Sequence, residues 1–370
     1  MRHEPAGVSR RVCLYGLCAH LQRMRIDMRS DTVTKPTPAM RRAMSEAEVG
    51  DDVLDGDPTT RRLEQRVAEL LGKDAALFFP SGTMANQAAV WLLSRPGTEI
   101  LLDAGAHILH YEVAGAAALA GVQVRPVAGN PVMDAATLSA TIRPTSPHVP
   151  RGSLVCLENT HNGAGGRVTS LAAMREIAGV ARANALPVHL DGARLWNAAA
   201  ASGETLATLA SVADTVMVSF SKGLGCPVGA ALAGPRDLIA EGWSVRKRFG
   251  GGMRQSGILA AAALYALDAH LPRIAEDHGT AKLYASIVDG VAKAHVVPPD
   301  TNIIMLDLPS PIDAFAVVAE AARHDVLLTP WSSSRIRAVT HLDVDESAVR
   351  TAGTVVAEVI ERMAESRMSR

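Results

Sequence analysis

The sequence predicts an α/β protein, a large unit with a mostly parallel, doubly wound sheet followed by a smaller C-terminal α+β unit. Three observations predict it. From residue 57 to about 234, short apolar runs alternate with helix-period segments, the pattern of a parallel sheet with helices on both faces. The chain has 370 residues, more than one typical domain. Past a long apolar segment ending at His270 the texture changes, which puts a boundary near residues 272–280. The expected division is an N-terminal extension over 1–25, a large unit over 26–275 and a small unit over 276–370.

The elements follow in order. Pro58–Leu71 carries Leu63, Val67, Leu70 and Leu71 at helical spacing, with Asp57 as N-cap and Pro58 at the first helical position. Ala75–Phe79 reads as a short strand ending at Pro80-Ser81-Gly82-Thr83, before a helix over 84–93. Strands follow at Glu99–Asp103, 122–127 and 153–158, with a small-residue helix at 114–120 and a Gly-rich turn at 159–166. Leu171–Ala183 is helical, and 186–190, 215–220 and 230–233 read as buried strands. A long apolar helix covers 256–270. The small unit carries an amphipathic segment at 281–292 and strands at 302–307, 326–328 and Arg335–Val339.

Composition narrows the function. The chain is 48% apolar and 20% charged, with a mean hydropathy of +0.12, so it folds around a core. Lys and Arg total 37 against 38 Asp and Glu, and only 4% is aromatic, so neither nucleic acid nor an anionic membrane is an expected partner. Cys13, Cys18, Cys156 and Cys226 form no C-x-x-C pair, which fits a reduced, cytoplasmic setting. No apolar run reaches the roughly 18 residues of a membrane helix. Near the N-terminus, Ser9-Arg10-Arg11 and the apolar stretch after it faintly match a twin-arginine export signal. His20, Gln22, Arg23 and Arg25 break that stretch and no cleavage site follows. Met24 and Met28 offer later starts, so residues 1–24 are expected to be a loose tail or a non-native start.

Ligands of open α/β sheets bind at the carboxyl ends of strands. Ser81-Gly82-Thr83, between a strand and a helix, offers an anion the backbone N–H groups of a helix start. No Walker loop or strand-following G-x-G-x-x-G is present, so ATP and NAD in their usual loops are not expected. Asp191 ends an apolar strand, where a carboxylate needs a cation. The structural reading is a helix N-cap or an ion pair with Arg194, one turn on, and the functional reading is an anion beneath a protonated ligand ring nitrogen. The chain has six lysines, and only Lys222 is delivered to such a strand end; the plain alternative is a solvated loop lysine. An anion loop, a strand-end Asp and a strand-end Lys 31 residues later match the needs of pyridoxal phosphate. That cofactor takes a phosphate seat, a carboxylate for its ring nitrogen and an amine for its aldehyde.

Longer motifs carry a resemblance. Arg29-Ser30-Asp31-Thr32, Ser81 to Asn86, Leu157 to Asn162, His189 to Arg194, Ser219 to Gly225, Gly250 to Gln255 and Arg337 to His341 stand in one order. The chain thereby resembles fold-type I pyridoxal-phosphate enzymes, and closely the low-specificity L-threonine aldolase family, over about residues 26–345. The resemblance implies that Lys222 holds the cofactor and Asp191 its ring nitrogen. It puts Arg194 near the ring hydroxyl and substrate carboxylate. Ser81, Gly82 and Thr83 would seat the phosphate, with Lys247 and Arg254 approaching from a neighbouring subunit. Ser30 and Arg337 would clamp the substrate carboxylate, although Arg335 lies on the same strand face and sequence alone does not choose. His107 is implied to stack on the ring and His148 to reach the substrate β-hydroxyl. The implied reaction is cleavage of a β-hydroxy-α-amino acid to glycine and an aldehyde, in a homo-oligomer, a dimer of dimers, with the site at the subunit interface.

Other chemistries fit parts of the same residue set. A β-eliminating lyase or an aminotransferase could use the same Lys and Asp. A non-catalytic protein of the pyridoxal fold is less expected, because the lysine and its partners are all present. Asp103, His107, His110, Glu112, His148 and His161 could ligate a metal in a hydrolase or metal-dependent aldolase. His107-x-x-His110 lacks the i, i+4 pairing of a helical zinc motif, and no cysteine pair supports it.

Overall fold

A computed structural model describes residues 25–368. Cys13, Cys18 and the arginine pair near the N-terminus lie outside the described residues. The strands are β1 (Ile26–Asp27), β2 (Ala75–Phe79), β3 (Glu99–Asp103), β4 (Gln123–Val127), β5 (Gly152–Glu158), β6 (Val188–Gly192) and β7 (Thr215–Ser219). They continue with β8 (Ala230–Gly234), β9 (His295–Val297), β10 (Ile303–Asp307), β11 (Val326–Leu327), β12 (Thr329–Ser332) and β13 (Arg335–Val339).

The large sheet has seven strands in the order β2-β8-β7-β6-β5-β3-β4. Pairing is parallel from β7 through β4, and β8 runs antiparallel to both β7 and β2. Two antiparallel steps leave β2 pointing the same way as β7. The carboxyl ends of β2, β3, β5, β6 and β7 therefore share one edge of the sheet. The chain order reverses between β3 and β5, the kind of switch point at which such sheets bind ligands.

Local chemistry explains the elements. The helix Pro58–Leu71 starts as expected, with the Asp57 side chain accepting from the Thr60 N–H and Pro58 in the first turn. It ends on Gly72 in the left-handed region, φ 59°, a conformation that glycine adopts without a Cβ penalty. β6, β7 and β8 are buried along their whole length, because helices cover both faces. The predicted strand at 186–190 is displaced to Val188–Gly192, so Asp191 lies within the strand's end.

A second sheet, β12-β13-β10-β9, is antiparallel throughout. Ile304, Leu306 and Ile336 pack there with Tyr284 of the helix Ile274–Val288 and Val356 and Ile360 of the helix Glu346–Met368. The amphipathic segment predicted at 281–292 belongs to Ile274–Val288, which Gly290 at φ 76° prevents from continuing. One boundary differs from expectation: β1 pairs in parallel with β11, and Met28 sits fully buried in this second core. Residues 26–28 thus pack with the small unit, because their apolar side chains complete its core. Among the described residues, no single helix is long and apolar enough to cross a membrane.

Candidate active site

The fully buried β7 delivers Lys222, three residues past Ser219, to the carboxyl edge. Among the described residues no side chain hydrogen-bonds its amine. Burial and the charge of Arg194 hold the amine down to about 8, against the opposing pull of Asp31, Asp191 and Glu158.

On the neighbouring strand, Asp191 is 2% exposed. It accepts from Asn86 Nδ2 at 2.8 Å and from the Ala193 N–H at 3.1 Å. Asn86 is itself oriented from behind. His189 Nε2 lies 3.0 Å from Asn86 Oδ1, and His189 Nδ1 lies 2.9 Å from Thr215 Oγ1. Burial pushes His189 down to about 4, so its ring is neutral. A neutral ring here donates to the amide oxygen and accepts from the threonine hydroxyl.

The same Asn86 amide donates to Glu112 Oε1 at 2.8 Å, and Gln87 donates to Glu112 Oε2 at 2.6 Å. His107 Nδ1 lies 3.0 Å from Glu112 Oε1, and the His107 backbone N–H donates to Glu158 Oε2 at 2.7 Å. Burial alone would lower the His107 pKa, but the bond to Glu112 and the charge of Asp191 carry it above its ordinary value. Glu158 stands in register with Asp191, and burial with that neighbouring charge raises its pKa.

His107, Glu112 and Asp191 place ligating atoms within 4.8 Å of one another, which revives the metal alternative in altered form. The Asn86 amide argues against it. Its NH₂ donates to both carboxylates and so stands where a shared cation would sit. His110 and His161 are held elsewhere: His110 Nε2 is 2.7 Å from the Ala104 carbonyl, and His161 pairs with Asp103 at 3.0 Å.

Two guanidinium groups meet at Asn162, whose Oδ1 lies 3.4 Å from Arg194 Nη1 and 3.5 Å from Arg337 Nη1. Arg194 is clamped through Nε and Nη2 by Asp31, each at 2.7 Å. Burial alone would raise the Asp31 pKa, and Arg194 instead holds it far below the usual carboxylate range. Asn302 Nδ2 also donates to Asp31, at 3.2 Å. Arg337 is 8% exposed, makes no ion pair among the described residues, and its Nε has no partner. Burial and Arg194 push it down to about 10. Register separates Arg337 from Arg335. Arg335 stands opposite Asp307 and donates to it from Nη2 at 2.8 Å, whereas Arg337 stands opposite Met305.

Ser30 immediately precedes Asp31, and its Oγ accepts from Thr32 Oγ1 at 2.9 Å. Ser81 caps the helix Gly82–Leu93 by accepting from the Met84 N–H at 3.2 Å. The Gly82 and Thr83 N–H groups occupy the first turn, where a helix has no acceptors of its own. The Gly250-Gly251-Gly252 turn packs against this helix start, and a Cβ on Gly251 would collide with the Met84 sulfur. Lys247, near the end of the helix Arg236–Arg248, is exposed, and Arg254 pairs with Asp51 at 3.2 Å.

His148 is not brought to this group by its own chain. It is an exposed loop residue four positions before β5. β5 runs from Gly152 to Glu158, with Glu158 at the site edge, so His148 lies at the opposite, amino edge of the sheet. Strand direction, not local sequence, puts it there. Asp31, Asn86 and Asn302 received no individual role from the sequence, and Glu112 received one only as a candidate metal ligand. Asp31 and Asn86 lie inside the motifs 29–32 and 81–86, and Asn302 stands at the head of β10.

The donor set fits pyridoxal phosphate. An unpartnered strand-end amine, an adjacent buried carboxylate and a helix start with free N–H groups share one edge. A sequence profile described as "beta-eliminating lyase" matches residues 27–310. Low-specificity L-threonine aldolase 1 of Arabidopsis thaliana is 42% identical over 336 residues, covering 88% of this chain and 93% of that protein. The low specificity L-threonine aldolase of Escherichia coli K12 is 41% identical over 321 residues, covering 86% and 94%. A solved threonine aldolase from Leishmania major superposes with a TM-score of 0.77 at 20% identity, over 92% of this chain and 99% of that one.

Proposed function

The chain belongs to the beta-eliminating lyase family, and on that premise we propose that it cleaves L-threonine, L-allo-threonine and related β-hydroxy-α-amino acids to glycine and an aldehyde. The fold is that of the fold-type I pyridoxal-phosphate enzymes. Pyridoxal phosphate is the cofactor, and when bound it supplies an electron sink next to the substrate Cα.

Lys222 is the amine that would hold the cofactor, and Asp191 the carboxylate that would keep its ring nitrogen protonated. Asn86 and His189 hold Asp191 in place. Ser81 shapes the helix start whose Gly82 and Thr83 N–H groups suit a phosphate. The observation that carries the reading is Arg337. A buried guanidinium without an ion-pair partner is costly, and a substrate carboxylate between it, Arg194 and Ser30 relieves that cost. His107 is the imidazole suited to take the β-hydroxyl proton. With Nδ1–H donated to Glu112, Nε2 is its basic atom. His148 would enter only from a second subunit.

We further assign a cytoplasmic homo-oligomer, a dimer of dimers, in which Lys247 and Arg254 of one subunit help seat the phosphate of the next. Supporting this, Val49, Leu54, Val228 and Ile258 are exposed large apolar side chains. The test is to incubate cofactor-loaded protein with L-threonine and measure products, then to reduce with borohydride and map the labelled peptide. Glycine and acetaldehyde, with label on Lys222, are expected. Release of ammonia and a keto acid would assign the β-eliminating alternative instead, and label on another lysine would overturn the site.

A further inference from the structure

We propose that Trp331 is a positioning residue for the substrate α-carboxylate, closing over the Arg337 guanidinium and shielding it from water. The inference rests on the carboxylate seat assigned to Arg337 above.

Trp331 lies in β12, which pairs with β13. Register shifts between Pro330 and Ser332, so Trp331 is the extra residue of a β-bulge. A bulge re-aims a side chain that a regular pleat would send elsewhere. Here the indole comes under Arg337, whose Cζ lies 5.3 Å from the ring centroid. The opposite wall comes from the large unit. Tyr111 lies 6.3 Å from Trp331 between ring centroids, and His107 lies 5.4 Å from Tyr111. An aromatic row thus spans the two units beside the basic pair. The ring also packs on Ile303, Met305 and Val339, which fixes it without a mobile loop.

The physical consequence is specific. A guanidinium stacked on an indole keeps its N–H edge for a carboxylate while one face is kept dry. A dry neighbour lowers the local dielectric, so the carboxylate contact strengthens and salt screens it less. Because the α-carboxylate is common to substrate and product, the effect extends to glycine.

The test is glycine binding to the cofactor-loaded protein by calorimetry at low and high salt, together with L-threonine kinetics. Trp331→Ala is expected to weaken glycine about tenfold, the span of one cation–π contact, and to steepen the salt dependence. For L-threonine, KM should rise by more than kcat falls. Trp331→Phe should restore most of the affinity, because a ring face remains. Glycine affinity and salt dependence unchanged in Trp331→Ala would overturn the inference, as would a loss in Trp331→Phe equal to that in the alanine variant. Glycine binding reads the seat whether or not cleavage occurs, so a wild-type protein that fails to cleave L-threonine would sink the proposed reaction separately.

Discussion

Single side chains set the site's protonation. His107 is carried above its ordinary value by Glu112 and Asp191 in spite of burial. A general base works deprotonated, so turnover should appear as pH rises through that raised value. Glu112→Gln removes the charge that raises it, and the acid limb of the kcat profile should move to lower pH. An unmoved limb would take the base role away from His107. Replacing His107 by Asn should lower kcat for L-threonine by roughly 10²–10⁴, the span of a lost acid–base group. Asp31 acts differently, through stability. Its folded pKa is depressed, so its contribution is present above the unfolded carboxylate value and is lost as pH falls below it. Asp31→Asn leaves Arg194 buried and unpaired and should cost about 3–5 kcal/mol in chemical denaturation. A cost under about 1 kcal/mol, the size of an exposed pair, would mean the clamp is not what holds Arg194.

At the scale of elements, turns and helix starts do the positioning. The helix Gly82–Leu93 begins where β2 ends, and its cap is a single hydroxyl. Ser81→Ala should destabilise by about 0.5–2 kcal/mol and weaken cofactor binding in the same variant, since both depend on the first turn. Cofactor affinity that stays level while stability falls would remove Ser81 from the phosphate seat. The turn after Glu112 holds Val113 and Ala114 at φ 52° and 56°, and the Val113 side chain is 92% exposed. A β-branched residue in the left-handed region is strained, and here it turns the chain so that Glu112 is buried. Val113→Asn should raise Tm, because Asn tolerates that conformation and no packing is lost within the subunit. A fall in Tm would instead mean that the exposed valine is covered in the oligomer.

Over the whole molecule, the proposed site would draw on both units. Lys222, Asp191 and Arg194 would come from the large unit and Arg337, Trp331 and Asn302 from the small one, with the Asn302–Asp31 bond joining them. The proposed oligomer adds a third source. Lys222→Ala and Arg254→Ala should each be impaired alone. If Arg254 serves the neighbour's site, unfolding and refolding the two together should recover about a quarter of wild-type activity, the yield of hybrid dimers with one intact site. No recovery would confine the site to one subunit.

The sequence by itself determined the order of elements, the parallel core and the strand ends that carry the candidate residues. Burial periodicity and capping are local properties that each segment carries. It also singled out Lys222, since a lysine at the end of an apolar strand stands apart from five others in surface-like settings, and it flagged Asp191 as a carboxylate at an apolar strand end while leaving a structural role open. Only the tertiary structure decided the rest. β8 runs against its neighbours, which no segment pattern records. Among the described residues Arg335 makes an ion pair and Arg337 does not, because Asp307 falls opposite Arg335 and Met305 opposite Arg337, a matter of register between strands. His148 stands at the far edge because β5 points away from it. Residues 26–28 complete the small unit's core because β11 is their partner, some 300 residues downstream. Direction, register and partner are set by contacts between distant segments, and one segment's periodicity holds no information about them.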